Sequence, residues 1–495
     1  MKERQSNVHP YIPNTVPKVK AQMMQEIGIA SIEELYRDIP QHLRMQSEMD
    51  LPPALNEFEL KRHIERLLAA NVSTSQATSF LGGGCWQHFV PAVCDEINQR
   101  SEFVTAYAGE PYEDHGRFQA LFEYQSLVAE LVDMDVVNVP TFDWPQAAST
   151  ALRMAARMTG RTEVLLPAIL CPDKRMIIKN YLHPHIRVIT VQTESDSGLL
   201  DLNDLRSKLS DQTAAVYIEN PNYFGIIERQ GEEINRLARE YGAISVVGVD
   251  PISLGVLTPP SQYGADIVCG DLQPLGIRMN YGGGQSGFIA VHDEERFVME
   301  YPSRLFGIVP TVVEGEYGFG DVAYERTSFA QREQGKESVG TQTALWGITA
   351  GVYLALLGPH GMYEIGETIM QKSRYAAARL STLSGVALRY ENAFFKEFVI
   401  DFTATGLTVS QINEHLLTRN IFGGLDLSGS FPEIGQSALF CVTEVMAKEQ
   451  IDHLVDELTA LLNKTIQPDI NCSLTRTSAE GMSEAAANMA ERCDE

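Results

Sequence analysis

Six short segments constrain the fold more than anything else in the chain: Val164–Pro167, Arg187–Val191, Ala214–Ile218, Ile244–Val249, Asp266–Val268 and Gly287–Val291. Each is rich in β-branched residues and nearly continuously apolar, without the polar alternation of a strand that has one wet face. Strands of that kind are buried on both faces, the condition of a mostly parallel sheet covered by helices. Helical text between them, such as Leu202–Leu209 and Gly231–Tyr241, supplies the crossovers. The expectation is an α/β fold with a mostly parallel central sheet.

The flanking text sets the domain plan. From His9 to about Ala70 the pattern is helical and polar, broken at Pro40, Pro52 and Pro53, with an amphipathic stretch from Glu57 to Leu68. Residues 1–75 are therefore expected to form an N-terminal helical arm, and residues 76–357 the large domain. A long helix from about Thr341 to Leu357 is predicted to end at Gly358-Pro359 and lead into a smaller C-terminal α+β domain, residues 358–467. The strands Glu397–Phe402 and Ser437–Val442 and the helices Ser410–Thr418 and Lys448–Leu462 are its predicted elements. Residues 468–495 are rich in Ser, Asn and Glu and are expected to be a disordered tail.

Charge and cysteine usage narrow the function classes. A formal net charge of -26 argues against nucleic acid, whose phosphates require clustered Lys and Arg. The seven cysteines include no CxxC pair, so neither a zinc-site spacing nor a disulfide framework is present, and no metal site is expected. No apolar run reaches the length of a membrane span, and the N-terminus has no apolar signal core. A cytoplasmic protein without membrane partners is the expectation.

Val246 to Pro251 is an apolar strand closing on Asp250. In fold-type-I pyridoxal-phosphate (PLP) enzymes an Asp at such a strand end keeps the pyridinium nitrogen protonated, while a lysine further along forms the Schiff base. An ordinary Asp-Pro turn reads the same way for Asp250. No lysine occurs between Lys208 and Lys336, and Arg278 cannot replace one because a guanidinium stays protonated. His88 beside Trp86, Asp271 and Gln273 at a strand end, and Arg332 as a carboxylate binder are further site candidates. His115 reads as surface decoration, and Asp266 and Glu444 as structural.

Ordered motifs then carry a family resemblance. They include Tyr11-Ile12-Pro13-Asn14-Thr15, Phe80-Leu81-Gly82-Gly83-Gly84 with His88 and Pro91, Arg100 to Tyr107 and Pro221-Asn222-Tyr223-Phe224-Gly225. Asp250-Pro251-Ile252-Ser253-Leu254, Gly270 to Gly276, Arg332-Glu333-Gln334, Phe395-Lys396-Glu397-Phe398 and Gly423 to Leu427 continue the series. Through them the chain resembles the alpha half (subunit 1) of the glycine cleavage system P-protein, glycine dehydrogenase (decarboxylating). The resemblance implies a fold-type-I PLP-transferase-like architecture and a heteromeric enzyme in which PLP is carried by a beta partner subunit. It further implies decarboxylation of glycine and transfer of the aminomethyl group to a lipoyl carrier protein, with this subunit shaping the cleft and inactive alone. Counting back from Gly282-Gly283-Gly284 places Leu275 at the position of the family's PLP lysine.

Three segments depart from the family pattern. They follow Tyr107, where Ala108 to Gly116 replaces a Thr-Pro-Tyr-Gln-Pro-Glu-Ile-Ser-Gln-Gly run; Asp143, where Trp144-Pro145-Gln146 replaces small residues; and Gln334, where the stretch to Thr341 is shortened. Trp and Pro crowd a helix N-terminus that small residues would open to an anion, and Pro removes a donor. Two alternatives therefore stand beside glycine cleavage: a diverged paralogue working with its own PLP-bearing partner on another amino acid in specialised metabolism, and a catalytically silent scaffold subunit.

Overall fold

The computed structural model describes residues 12, 15–45, 47, 49–104, 117–303, 305–322, 326–328, 331, 333, 335–337 and 342–466. The replaced loop after Tyr107, His115, Arg332 and the tail from 468 lie outside them. The chain divides into two units, Met1–Val72 and Ser73–Glu495. In the first, α1 (Pro17–Glu26) opens with a proline at its first position, where no N–H is missed. Helix α2 (Glu57–Leu68) opens with a capping box. The Glu59 N–H donates to Asn56 Oδ1 at 2.9 Å and the Asn56 N–H to Glu59 Oε2 at 3.4 Å.

The second unit is built on a seven-stranded sheet. Its elements in chain order are α3 (Phe118–Val132), β1 (Val136–Val137), α4 (Trp144–Thr159), β2 (Glu163–Pro167), α5 (Pro172–Leu182), β3 (Arg187–Val191), α6 (Leu202–Lys208), β4 (Thr213–Glu219), α7 (Gly231–Glu240), β5 (Ile244–Val249), β6 (Ile267–Asp271) and β7 (Gly287–Val291). The strand order is β1-β7-β6-β5-β4-β2-β3. Strands β6, β5, β4, β2 and β3 run parallel, and β7 and β1 add antiparallel pairings at one edge.

Why the strands read as continuous apolar runs is visible in the packing. Val164, Leu166, Val246, Ile267 and Cys269 join α4 and α5 in one core. Their alternate neighbours Leu165, Val216, Val247 and Val268 join α3 and α7 in another. Successive side chains point to opposite faces, so a sheet with helices on both sides asks every strand position to be apolar. The strand expected at Asp266–Val268 instead runs to Asp271, because the chain stays paired with β7 through Asp271↔Gly287.

A hairpin of β8 (Phe306–Pro310) and β9 (Tyr317–Asp321) precedes α8 (Ala344–Leu380). The predicted stop at Gly358-Pro359 is a sharp kink: Gly358 takes φ 59°, and helix resumes to Leu380, burying Met362, Ile369, Ala376 and Leu380. The four-stranded antiparallel sheet that follows combines β10 (Ala387–Leu388), β11 (Glu397–Asp401), β12 (Leu425–Asp426) and β13 (Ser437–Cys441) in the order β10-β11-β13-β12. Helices α9 (Val409–Leu417) and α10 (Lys448–Ile466) close its core with the second half of α8.

Candidate functional site

The parallel strands end on carboxylates: Glu219 closes β4, Asp250 follows β5 and Asp271 closes β6. The carboxyl ends of a doubly covered sheet are where ligands bind in such folds. Over them lie the segment Gly82–Trp86, the start of α4, the start of α5 and the first residues of β11, enclosing a cavity of about 390 Å³. Glycine at position 82 follows from the closeness of this lid, since a Cβ there would overlap the Glu397 carboxylate. The Gly83 N–H donates to Glu397 Oε1 at 2.6 Å, which joins the lid to the smaller sheet.

Lys396 is the centre of the site. Its Nζ lies 2.6 Å from Asp250 Oδ2, 3.2 Å from His88 Nε2 and 3.6 Å from the centre of the Trp86 ring. The side chains of Lys396 and Asp250 are 2% and 7% exposed, so this is a desolvated ion pair. His88 Nδ1 is 2.8 Å from Glu444 Oε2, and the Phe89 N–H donates to Glu444 Oε1 at 2.7 Å. With Lys396 donating to Nε2, the ring proton sits on Nδ1 and faces Glu444. Burial pushes the Glu444 carboxyl up, but the hydrogen bonds it accepts from His88 and the Phe89 N–H outweigh it and hold the carboxyl below the usual carboxylate range. Asp250, Lys396, His88 and Glu444 thus form one connected chain of charges and donors from the large sheet to the small one.

A second buried lysine mirrors the first. Lys174 on α5 is ion-paired with Glu219 and stands 3.2 Å from the centre of the Trp144 ring, and Tyr217 donates its hydroxyl proton to Glu219 at 2.7 Å. Trp144 is the first residue of α4, and Asp143 caps that helix by accepting the Gln146 N–H at 2.7 Å. Cys85 and Cys171 also line the cavity. Burial pushes the Cys85 thiol up to about 11 and raises that of Cys171, so neither is poised as a nucleophile. Among the described residues no cluster of His, Cys, Asp and Glu has a metal-holding arrangement.

The sequence candidates fall in different places. Asp250 and Asp271 line the cavity, and His88 stands directly behind Lys396. Gln273 is turned away to brace the lid: Trp86 N–H donates to its Oε1 at 3.1 Å, and its Nε2 donates to the carbonyls of Trp86 and Ile277 at 2.9 and 3.0 Å. Leu275 is fully buried in the apolar core. Lys396, Lys174, Glu219 and Trp86 were not singled out from sequence. The available signal was a Lys-Glu pair opening an otherwise apolar strand, where two buried charges demand partners.

Tested against PLP, these residues do not fit the group. The Asp250 carboxylate is held by Lys396, the leading turn of α4 is capped by Asp143 and carries Trp144 and Pro145, and Leu275 cannot form a Schiff base. Asp250 is ion-paired, the head of α4 is capped, and position 275 offers no amine, although Asp250 Oδ2 accepts no hydrogen bond of regular geometry.

Asp271 gives the site a pH signature. It is fully buried, its Oδ1 accepting the N–H groups of Gln273 at 2.7 Å and Ser286 at 3.2 Å. Burial outweighs those bonds and, with Asp143 nearby, raises its carboxyl to about 7. A carboxyl whose folded value lies above its unfolded one stabilises the fold fully at low pH and loses that contribution as pH rises through the folded value. Stability is therefore expected to fall between about pH 4 and pH 7, by on the order of 4 kcal/mol. Asp271→Asn keeps the Oδ1 acceptor and should flatten this slope in urea titrations across the range. An unchanged slope would refute the assignment.

Comparison with known proteins places this geometry. A family model described as "Glycine cleavage system P-protein" matches residues 9–458. A "Probable glycine dehydrogenase (decarboxylating) subunit 1" of Staphylothermus marinus is 38% identical over 467 residues, covering 92% of this chain and 99% of that protein. One of the same description from Desulfitobacterium hafniense is 38% identical over 448 residues, covering 90% and 98%. The crystal structure of a glycine decarboxylase (P-protein) of the glycine cleavage system, in inhibitor-bound form, superimposes with a TM-score of 0.79 at 30% identity, over 92% of this chain and all of the other. A NifS-like protein, 14% identical with a TM-score of 0.59, shares the fold alone.

Proposed function

Since the chain belongs to the glycine cleavage system P-protein family, whose structural match confirms the fold-type-I PLP-enzyme architecture, we propose that it is the subunit that carries no PLP in a two-subunit glycine decarboxylase. The partner subunit would hold the cofactor, which would supply the electron sink for loss of the glycine carboxylate. A lipoyl carrier then accepts the aminomethyl group. This chain's contribution is structural: it completes the assembly and presents a rigid wall to the shared cleft. The observation that carries the reading is Lys396 on Asp250, with Leu275 in the core, because together they remove both the ring partner and the Schiff-base position.

Purified alone, the chain should show no exchange of carbon dioxide into glycine and no visible cofactor absorbance after PLP is added. Mixed with a lysine-bearing partner, it should form a heteromer with PLP-dependent exchange. A yellow, active isolated chain would sink the proposal. Trp144 and Pro145 at the head of α4 support a second reading, a paralogue with its own partner and another amino acid as substrate. A heteromer that turns over a different amino acid but leaves glycine untouched would select it, and a heteromer active on nothing would select a scaffold.

A further inference from the structure

The parallel strands of the large sheet begin beside a second cavity, of about 580 Å³, at the end of the sheet away from Glu219, Asp250 and Asp271. The last turn of α4, the turn into β2 and the start of β5 border it, and it shares no lining residue with the cavity described above. Arg157, Arg161, Arg296 and Lys336 line it, against one lining carboxylate, Glu300. Four cations around one cavity are unexpected on a chain of net charge -26.

Ion pairing explains only part of the cluster. Buried Glu300 holds Arg157 Nε at 2.5 Å and also pairs with Lys336. Glu337 holds Arg157 Nη1 at 2.9 Å and Arg153 Nε at 3.3 Å, and Glu294 holds Arg296 Nε at 2.7 Å. Five cations, Arg161 included, thus meet three carboxylates. Arg161 has no carboxylate partner among the described residues: its Nη1 donates to the carbonyls of Thr213 at 2.8 Å and Tyr241 at 2.7 Å. The second of these bonds caps the C-terminal end of α7. That structural role uses a single nitrogen. Arg161 Nε and Nη2, and both Nη atoms of Arg296, have no hydrogen-bond partner among the described residues.

Two guanidinium groups with free donors on one cavity, and an excess of two positive charges, match a tetrahedral dianion whose terminal oxygens accept several N–H groups at once. A carboxylate presents a flat pair of oxygens and a single charge, and leaves part of that excess unmet. We infer that this cavity binds the phosphoryl group of a soluble phosphorylated small molecule, held by Arg161 and Arg296 with Lys336 beside them. The strongly acidic chain repels anions at large, so saturable binding has to come from these local donors.

The test is calorimetric titration of the full chain with inorganic pyrophosphate at low ionic strength, beside citrate as a carboxylate of similar charge. Saturable binding of pyrophosphate, tighter than that of citrate, is expected. Arg296→Gln should weaken it roughly 10-fold, and Arg161→Lys with Arg296→Gln roughly 100-fold, the loss of charge-assisted donors at one and then both arginines. Arg296 is exposed, so the Tm of its unliganded variant should match the parent. Absence of saturable pyrophosphate binding overturns the inference, as does citrate bound as tightly, or full affinity in the double variant. If the double variant melts early, Arg296→Gln decides alone, and unchanged affinity there overturns the inference. Asp271→Asn, in the other cavity, should bind pyrophosphate as the parent does; a loss there assigns the anion to that cavity and equally overturns it.

Discussion

Lys396→Met is expected to lower the unfolding free energy by about 3–5 kcal/mol, the usual cost of removing one member of a buried ion pair. The methionine replaces the stem over Trp86 but leaves Asp250 beneath a dry lid with no cation. His88 loses the donor at Nε2 as well. Adding Asp250→Asn to the same chain should recover much of the loss, because the stranded charge is then gone and its side chain can still cap the turn after β5 by accepting the Ile252 N–H. Denaturant titration of the two single variants and the double variant measures this coupling. A loss below about 1 kcal/mol for Lys396→Met would show that the pair is solvated and that the closed arrangement is not a stabilising element.

Leu275→Lys probes the second obstacle to cofactor binding. An ammonium at this fully buried position has no partner waiting, and the price in stability at pH 7 is on the order of 4 kcal/mol. Despite supplying a lysine at the position that the resemblance matches to the family's PLP lysine, the variant should stay colourless when PLP is added. Lys396 still occupies Asp250, and Trp144 and the Asp143 cap still close the head of α4. A saturable visible band in this single variant would mean that the lysine was the only missing part and that neither the Lys396–Asp250 pair nor the head of α4 bars the cofactor.

How much of this was legible in sequence follows from which forces act locally. The central strands could be read because burial on both faces writes itself into every consecutive residue, from Val164 to Val291. Asp250 was legible for the same reason, as the first charge after such a run. The hairpin Phe306–Asp321 was not, since it is held to the body through Phe306 and Phe319 against Phe118 and Phe122, contacts that carry no local period. The continuation of α8 beyond Gly358-Pro359 was missed because a break signal in sequence does not distinguish a stop from a kink. Lys396 appeared only inside a family-like motif. Its role depends on His88 and Asp250, which come from elements far apart in the chain and meet only once the two sheets pack together.

The Lys396–Asp250 pair also bears on what mutation can undo. A chain able to hold the cofactor would need a lysine at 275, a vacated Asp250 and an opened head of α4. Taken singly, the first two of these changes lower stability before any benefit arrives, by amounts comparable to a domain's whole margin. Single steps toward a cofactor-holding site therefore run uphill, and the buried pair makes the present arrangement self-preserving.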